Sequence, residues 1–214
     1  MKIAIYGSGV LGVYCYKLIM NLFNTDYKIL GFIDDFRKPG EKVIGDDTIL
    51  GNIDDLQQFS PDEVKLVLAI GYENLAARYS CYKGCKEKGF SFINLIHPDV
   101  IRYADLTIGE GNIILAGSVI DQNINIGNAN YIDMGCIFSH DASIGDNNFF
   151  ALGFNSAGFI KIGNSNFIGM KTAVTDHLTI GDNNYICSGS LITADLGNAR
   201  KVYTIYQQMT LDRD

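Results

Sequence analysis

A histidine and an aspartate stand side by side in the segment CIFSHDASIGD, residues 136–146. Imidazole is the side chain whose ordinary pKa, about 6.5, suits proton transfer near neutral pH, and a neighbouring carboxylate can orient it. The pair His140–Asp141 is therefore a candidate general base for a reaction such as acyl transfer, in which an amine or a hydroxyl must lose a proton. The alternative is a pair of solvated side chains on a turn.

A glycine-rich segment near the N-terminus is a second candidate site. Gly7, Gly9 and Gly12 follow the apolar segment KIAIY, and Asp34 and Asp35 end the next apolar segment. In the dinucleotide-binding pattern, backbone N–H groups at a helix start bind phosphate, and a carboxylate after the next strand accepts hydrogen bonds from the sugar or base. Because only about 90 residues are available for this unit, we expect a mononucleotide-type ligand. A tight turn without a ligand is the alternative.

The elements that position the histidine belong to an internal repeat. Ile-Gly pairs recur at a constant spacing, at 108, 126, 144, 162 and 180, and an asparagine keeps the same phase. Every sixth residue from Ile108 to Ile192 is Ile, Val or Phe, with the exception of Ser156. Neither a helix nor a simple strand has this period, whereas three six-residue faces per turn do. The repeat predicts a parallel β-helix with coils over about 108–197 and no long loop between them, and its hexapeptide rule resembles that of the left-handed kind.

The first half of the chain has a different pattern. Apolar segments at the N-terminus, at YKILGFIDD and at VKLVLAIG (64–71) alternate with two segments of helical spacing, the second of which ends at Gly89. Strands that alternate with helices indicate a parallel sheet. We therefore predict a Rossmann-like nucleotide-binding domain over residues 1–95 and a β-helix domain over residues 96–214.

Composition excludes several classes of partner. Seventeen basic residues against 24 acidic ones give a net charge of −7, which is unfavourable for nucleic acid and for anionic lipid. No apolar run is long enough for a signal peptide or a membrane span, so we expect a soluble, cytoplasmic protein. Cys81 and Cys85 are spaced four apart, and the nearest histidine follows twelve residues later, which argues against a zinc site. We expect no metal.

The combination of these features resembles one family. A glycine-rich βαβ unit, the segment IDD, the segment LIHPD before the repeat and a five-coil hexapeptide prism that carries SHD are similar to the sugar O- and N-acyltransferases. These include the sialic acid O-acetyltransferases and the UDP-4-amino-sugar N-acetyltransferases of the bacillosamine pathway. The resemblance covers nearly all of residues 1–195. It implies a homotrimer, acetyl-CoA as the donor, a nucleotide-linked sugar as the acceptor, and a role in cell-surface polysaccharide biosynthesis.

The resemblance also implies residue roles. His140 matches the catalytic base, and Asp141 matches the acidic neighbour that orients it. Gly158 matches the glycine whose N–H faces the thioester oxygen, Gly189 lies where the pantetheine arm passes, and Asp133 lies near the acceptor. Four further residues match the nucleotide-sugar cleft: Gly9, Asp34, Asp35 and Gly71.

Three positions depart from the family pattern. Phe149 stands where a second family histidine would fall, and we expect its ring to narrow the acceptor pocket. Phe36 replaces the polar residue that commonly follows the paired acids. The C-terminal segment KVYTIYQQMTLDRD replaces the usual tail beside the CoA nucleotide, so donor affinity is expected to differ. Two alternatives therefore stay open: a non-catalytic nucleotide-sugar-binding or scaffold trimer, and an NAD(P)-dependent reductase that uses the glycine segment.

Overall fold

The N-terminal half is a small α/β unit. The structure is a computed structural model that describes residues 1–103 and 105–203 of the 214-residue chain. The elements of this half, in chain order, are β1 Lys2–Tyr6, α1 Val10–Leu22, β2 Lys28–Ile33, β3 Lys42–Ile44, β4 Asp47–Gly51, a 3₁₀ helix Asp54–Gln58, β5 Val64–Leu68 and α2 Leu75–Glu87. In the part of the chain that the structure describes, neither α-helix is long and apolar enough to cross a membrane.

The sheet of this unit has the order β3-β4-β2-β1-β5. Strands β1, β2 and β5 are parallel, as the alternation of strands and helices predicted, and their fully buried Ile3, Phe32 and Val67 pack in one core. Because parallel strands end at the same edge, the residues after β1, β2 and β5 meet there. The hairpin of β3 and β4 was not predicted, since its strands are short and carry no apolar alternation.

The C-terminal half is a left-handed parallel β-helix of two-residue strands in three sheets. We name each sheet after its outward surface. The covered sheet, on which the N-terminal unit packs, contains β6 Leu95–Ile96, β9 Ile113–Ile114, β12 Tyr131–Ile132, β15 Phe149–Phe150, β18 Phe167–Ile168, β21 Tyr185–Ile186 and β23 Lys201–Val202. The apolar sheet contains β7 Ile101–Arg102, β10 Val119–Ile120, β13 Ile137–Phe138, β16 Asn155–Ser156, β19 Ala173–Val174 and β22 Leu191–Ile192. The polar sheet contains β8 Thr107–Ile108, β11 Asn125–Ile126, β14 Ser143–Ile144, β17 Lys161–Ile162 and β20 Thr179–Ile180.

The six-residue period of the sequence marks the residue of each strand that points into the prism. The second residue of a strand points to the axis, and from Ile114 to Ile192 all of these residues are buried. Each strand pairs in parallel with the equivalent strand of the next coil, for example Ile126 with Ile144. The stacked strands begin at Leu95 and continue to Val202, so they extend beyond the predicted range of about 108–197 at both ends.

A buried ladder of asparagine side chains runs through the prism at one corner. The Oδ1 atom of each asparagine accepts a hydrogen bond from the backbone N–H of the asparagine one coil later, at 2.8–2.9 Å. The members of the ladder are Asn94, Asn112, Asn130, Asn148, Asn166 and Asn184. These bonds satisfy corner backbone groups that no β-ladder reaches, which explains why the asparagines keep the phase of the Ile-Gly pairs.

The three faces of the prism differ in what covers them. On the covered sheet, Tyr131 and Phe149 are buried against the N-terminal unit. The outward residues of the polar sheet include Ser143 and Lys161, which suit contact with water. The apolar sheet instead presents Ile101, Ile137 and Leu191, which are 61, 42 and 65% exposed. One face of the protomer is therefore apolar and uncovered by the described residues.

Arg78 joins the two halves. Its guanidinium is fully buried, Nε donates to Ile70 O at 2.9 Å, and Nη1 donates to Ala129 O and to Asn147 Oδ1, the latter at 2.7 Å. Burial lowers the pKa of Arg78 to about 10. Nη2 has no partner among the described residues. The side chain thus links the segment after β5, on the cleft side of the first unit, to one corner of the β-helix in two successive coils.

Candidate active site

His140 and Asp141 lie at the corner that follows β13. Asp141 has a φ of 56°, a conformation that Asp tolerates better than most residues, and this bend brings two consecutive side chains together. His140 Nδ1 is 2.8 Å from Asp141 Oδ2. The carboxylate accepts a hydrogen bond from Nδ1–H. In the neutral imidazole the free lone pair is then on the other ring nitrogen, Nε2. The imidazole side chain is 40% exposed, and the geometry is that of an oriented base rather than of two independent solvated groups.

Gly158 lies one coil above His140 and packs on its ring. An ideal Cβ at Gly158 would be 2.6 Å from His140 Cε1, 2.9 Å from Nε2 and 3.0 Å from Nδ1, so only glycine leaves room for the imidazole. Gly158 is buried, and no acceptor for its N–H is found within residues 1–103 and 105–203. A buried donor without a partner beside a base is suited to an anionic oxygen.

Two aromatic side chains continue this corner. The ring of Phe159 lies 5.2 Å from that of His140, and the ring of His177 stacks on Phe159 at 4.7 Å. His97, the third histidine, lies at the joint between the two halves. Its Nδ1 accepts a hydrogen bond from the N–H of Asp99 within a local turn. No group of three or more His, Cys, Asp or Glu side chains within the described ranges could hold a metal ion.

The glycine cleft lies at the carboxyl edge of the N-terminal sheet. A Cβ at Gly7 or Gly12 would collide with backbone, whereas a Cβ at Gly9 or Gly71 would meet nothing within 4 Å. Gly7 and Gly12 are therefore required for packing. Gly9, at the start of α1, and Gly71 border open space.

The ionised form of Asp34 is stabilised at this cleft. Its Oδ2 accepts from the Ser8 N–H at 3.1 Å and from the Ser8 hydroxyl, and its Oδ1 accepts from the Phe36 N–H at 3.0 Å. Burial opposes ionisation, but these hydrogen bonds and the charge of Arg37 together lower the pKa of Asp34. Asp35 differs, because its oxygens accept from Tyr6 OH at 2.6 Å and from Ile53 N–H at 2.9 Å. Its contact with a nucleotide remains a prediction.

Sequence reasoning singled out Phe36 at the mouth of the cleft but missed Val10 and Arg37. Val10 and Phe36 are 92 and 97% exposed. Arg37 Nη1 donates to Ser8 Oγ at 3.2 Å while its other nitrogens bind Glu41. Arg37 follows the paired acids two residues after Asp35, a spacing that could have pointed to a cation beside the phosphate-binding turn.

Asp133 lies at the corner after β12, facing helix α1. The Met134 N–H donates to its Oδ1 at 2.8 Å, and burial raises the pKa of Asp133. Burial and the nearby charge of Asp133 both raise the pKa of Tyr14 on α1. Val10, Val13, Tyr14 and Lys17 line an open depression of about 410 Å³ along this helix. The helix thus connects the glycine cleft to the Asp133 corner.

Two residues predicted at the site, Gly189 and Asp133, lie at a different corner of the prism from His140 within the protomer. Gly189 has a φ of 71° at a corner and donates its N–H to Met170 O at 2.7 Å. The apolar sheet separates this corner, which also carries Asp133, from the corner of His140.

Phe149 points outward from the covered sheet and stacks on Tyr131 at 4.3 Å, so its ring packs the prism against the N-terminal unit. The C-terminal segment that replaces the usual tail begins in β23 at Lys201, and its residues from 204 onward lie outside the described part of the chain.

Comparison with known proteins identifies the N-terminal unit and the fold. Residues 2–83 match the family model of the PglD N-terminal domain. A comparison with curated proteins gave no significant match.

Solved structures match over nearly the whole chain. The acetyltransferase domain of PglB from Neisseria gonorrhoeae, solved with acetyl coenzyme A, is 23% identical with a TM-score of 0.82, and the match covers 94% of each chain. PerB from Caulobacter crescentus, solved with CoA and GDP-perosamine, is 24% identical with a TM-score of 0.78 and covers 92% of this chain and 91% of that one. WeeI from Acinetobacter baumannii is 21% identical with a TM-score of 0.81, covering 94 and 96%.

These likenesses establish the architecture, and the family model matches the N-terminal unit alone. Residues 2–83 are similar to the PglD N-terminal domain, and the whole chain has the fold of the PglB acetyltransferase domain, PerB and WeeI, in agreement with the resemblance that the sequence predicted.

Proposed function

We propose that the protein is an acetyltransferase that transfers the acetyl group of acetyl-CoA to a nucleotide-linked amino sugar. The observation that carries this proposal is the arrangement of three groups at one corner. His140 has Nδ1 bound by Asp141 and Nε2 without a partner among the described residues, and buried Gly158, whose N–H has no acceptor in the described parts of the chain, packs so close to the same ring that a Cβ there would collide with it. PglB and PerB, whose fold the chain shares, were solved with acetyl coenzyme A and with CoA plus GDP-perosamine.

The proposed reaction is a direct transfer. The acceptor nitrogen attacks the thioester carbonyl carbon, forms the C–N bond and loses its proton to His140 Nε2. The Gly158 N–H donates to the carbonyl oxygen as it gains negative charge. The C–S bond then breaks, and the proton on His140 passes to the leaving thiolate. Asp141 stabilises the imidazolium, and loss of the base should cost on the order of 10²–10⁴ in rate.

The N-terminal unit is proposed to bind the nucleotide part of the acceptor. Gly9 and Gly71 border open space, helix α1 begins after Gly9 without a side-chain cap, and Arg37 adds a positive charge beside Ser8. Helix N-termini of this kind bind phosphate. Asp34, with its lowered pKa, is an acceptor for ribose or base groups, and Asp133 at the far end of the α1 depression is proposed to contact the sugar.

We propose a homotrimer as the working form. The apolar sheet is flanked by two corners, one with His140 and Gly158 and the other with Asp133 and Gly189. If three protomers pack with this sheet toward a common axis, the His140 corner of one protomer lies against the Gly189 corner of its neighbour. The uncovered Ile137 and Leu191 are then buried. Acetyl-CoA would occupy that cleft, with its pantetheine arm along Gly189.

Acetyl-CoA and nucleotide sugars are both made in the cytoplasm, so we propose that the protein acts there. An acetylated amino sugar on a nucleotide carrier is a building unit for surface glycans. We therefore propose a role in cell-surface polysaccharide biosynthesis.

Thiol release from acetyl-CoA, measured with a panel of UDP-, GDP- and dTDP-linked amino sugars, tests the activity. We expect one acceptor to give turnover that His140→Asn abolishes, while the matched control His97→Asn, at a histidine whose Nδ1 accepts from the N–H of Asp99 in its own turn, retains it. Binding of a sugar nucleotide without thiol release would refute catalysis and favour the non-catalytic trimer. Micromolar binding of NADH at the glycine cleft would favour the reductase instead.

A further inference from the structure

Phe159 is attached to the His140 corner through its ring and its backbone. Its ring plane lies at 86° to that of His140, with 5.2 Å between the ring centroids, and its N–H donates to His140 O at 3.1 Å. On the other side the ring is parallel to that of His177, at 5° and 4.7 Å. The three rings form a column along one edge of the prism.

The backbone of Phe159 is in a conformation that disfavours its side chain. Its φ is 58°, in the left-handed region, where a bulky residue is an outlier. The other non-glycine residues with positive φ are mostly short: Asn123, Ala129, Asp141, Asn147, Ser165, Lys171, His177, Asn183 and Ala199. Phe159 is the one Phe or Tyr at positive φ in the described parts of the chain. Its ring is also 48% exposed, so burial does not explain the choice. Strain that local packing does not explain indicates a functional constraint.

The imidazole of His140 is bounded on three sides. Asp141 holds Nδ1, the α-carbon of Gly158 lies against the ring face, and Phe159 closes a third side. A hydrogen bond at Nδ1 alone leaves the ring free to tilt about that atom, since χ2 of histidine has a broad energy profile. Contact with the Phe159 ring prevents this tilt, so Nε2 is the ring atom that stays accessible.

We propose that Phe159 is a positioning residue for His140, holding the imidazole in the orientation in which Nδ1 meets Asp141 and Nε2 faces the reacting groups. The effect on catalysis rests on the proposed function, whereas the effect on the orientation of the ring does not. Asparagine is the informative replacement, because it tolerates positive φ and removes the ring. A purely structural role for the phenyl ring predicts that Phe159→Asn changes stability but not catalysis or the state of the imidazole.

Nuclear magnetic resonance tests the orientation without any substrate. The chain has three histidines, so the ring signals of His140 are assigned by comparison with His140→Asn. We expect the wild-type protein to show a protected Nδ1–H and a single tautomer for His140. Phe159→Asn should lose that protection and show mixed tautomers, and Phe159→Tyr should retain the wild-type pattern. An unchanged pattern in Phe159→Asn would overturn the proposal even if the protein transfers no acetyl group.

Kinetics test the consequence for the reaction. We expect kcat to fall about 10-fold or more in Phe159→Asn, because a misplacement of about 1 Å costs up to 10²-fold. Both KM values should stay within about twofold, and Phe159→Tyr should restore kcat. The matched control Ala199→Asn introduces the same residue at a φ of 54° on a different corner, and should leave kcat unchanged. A wild-type kcat in Phe159→Asn would overturn the role in catalysis.

Discussion

Replacing Ser156, the one polar residue among the inward positions of the repeat, tests how the core of the prism is filled. Ser156 is buried, and its hydroxyl has no partner among the described residues. It pairs with Phe138 one coil below. The rings of Phe138, Phe150 and Phe154 lie 5.0–5.1 Å apart around this level. The serine therefore provides space for three large rings in one slice of the core.

Two replacements separate the hydroxyl from the volume. Ser156→Ala removes an unsatisfied buried group, whose cost is about 1–3 kcal/mol, so we expect a gain in stability of about 1 kcal/mol. Ser156→Ile also removes the hydroxyl and restores the residue that the repeat prefers. It forces extra methyl groups against the rings, however, and overpacking costs about 1–3 kcal/mol. We therefore expect the isoleucine variant to be less stable than the alanine variant by about that amount.

Urea unfolding at a fixed protein concentration measures the difference, since association of protomers would otherwise shift the midpoint. The matched control is Ile168→Leu, a volume-conserving change at a buried inward position of the repeat, which should cost less than about 1.5 kcal/mol. A Ser156→Ile variant more stable than Ser156→Ala would refute the argument that the phenylalanine rings fill this slice.

Three further predictions concern the site and the joint between the halves. Gly158→Ala places a Cβ where His140 now packs and should lower kcat about 100-fold, with a far-ultraviolet circular dichroism spectrum that matches the wild type. Arg78→Met leaves three acceptors without their donor and should lower the free energy of unfolding by about 2–4 kcal/mol; an equally stable variant would contradict its role in joining the halves. Asp34 has a lowered folded-state pKa, so its contribution to stability is present above the unfolded-state value of about 3.9 and is lost as the pH falls through the folded-state value. Acid titrations of Asp34→Asn should lack this part of the pH dependence.

The fold could be predicted from the sequence because the β-helix encodes its register locally. Each inward aliphatic residue needs only its neighbours in the adjacent coils, so the period alone placed Ile126 beside Ile144. The hairpin of β3 and β4 has no such signal, since its short strands are held by the sheet beside them. Phe149 could not be assigned from spacing, because its outward position acquires meaning only when the N-terminal unit covers that face.

The contacts at the candidate site were predictable to a similar degree, while the roles of its residues stay predictions. His140 and Asp141 were singled out by residue type, and Gly158 occupies the position equivalent to His140 in the next coil, so their contact follows from the period. The ring of Phe159 against the imidazole was not foreseen, since it depends on a positive φ that phenylalanine disfavours. Arg37 was overlooked because its side chain folds back to Ser8, which sequence order does not reveal.

The asparagine ladder makes the prism a molecular ruler with graduations of one coil. Each rung takes its acceptor from the rung below, and the last coil keeps this pairing although it is shorter, since the Arg200 N–H donates to Asn184 Oδ1 across 16 residues instead of 18. A shortened coil still adds the rise of one strand, about 4.8 Å. The height between the His140 and Gly189 corners can therefore change only by the loss or gain of a whole coil, whereas the length of a single coil can vary without changing it.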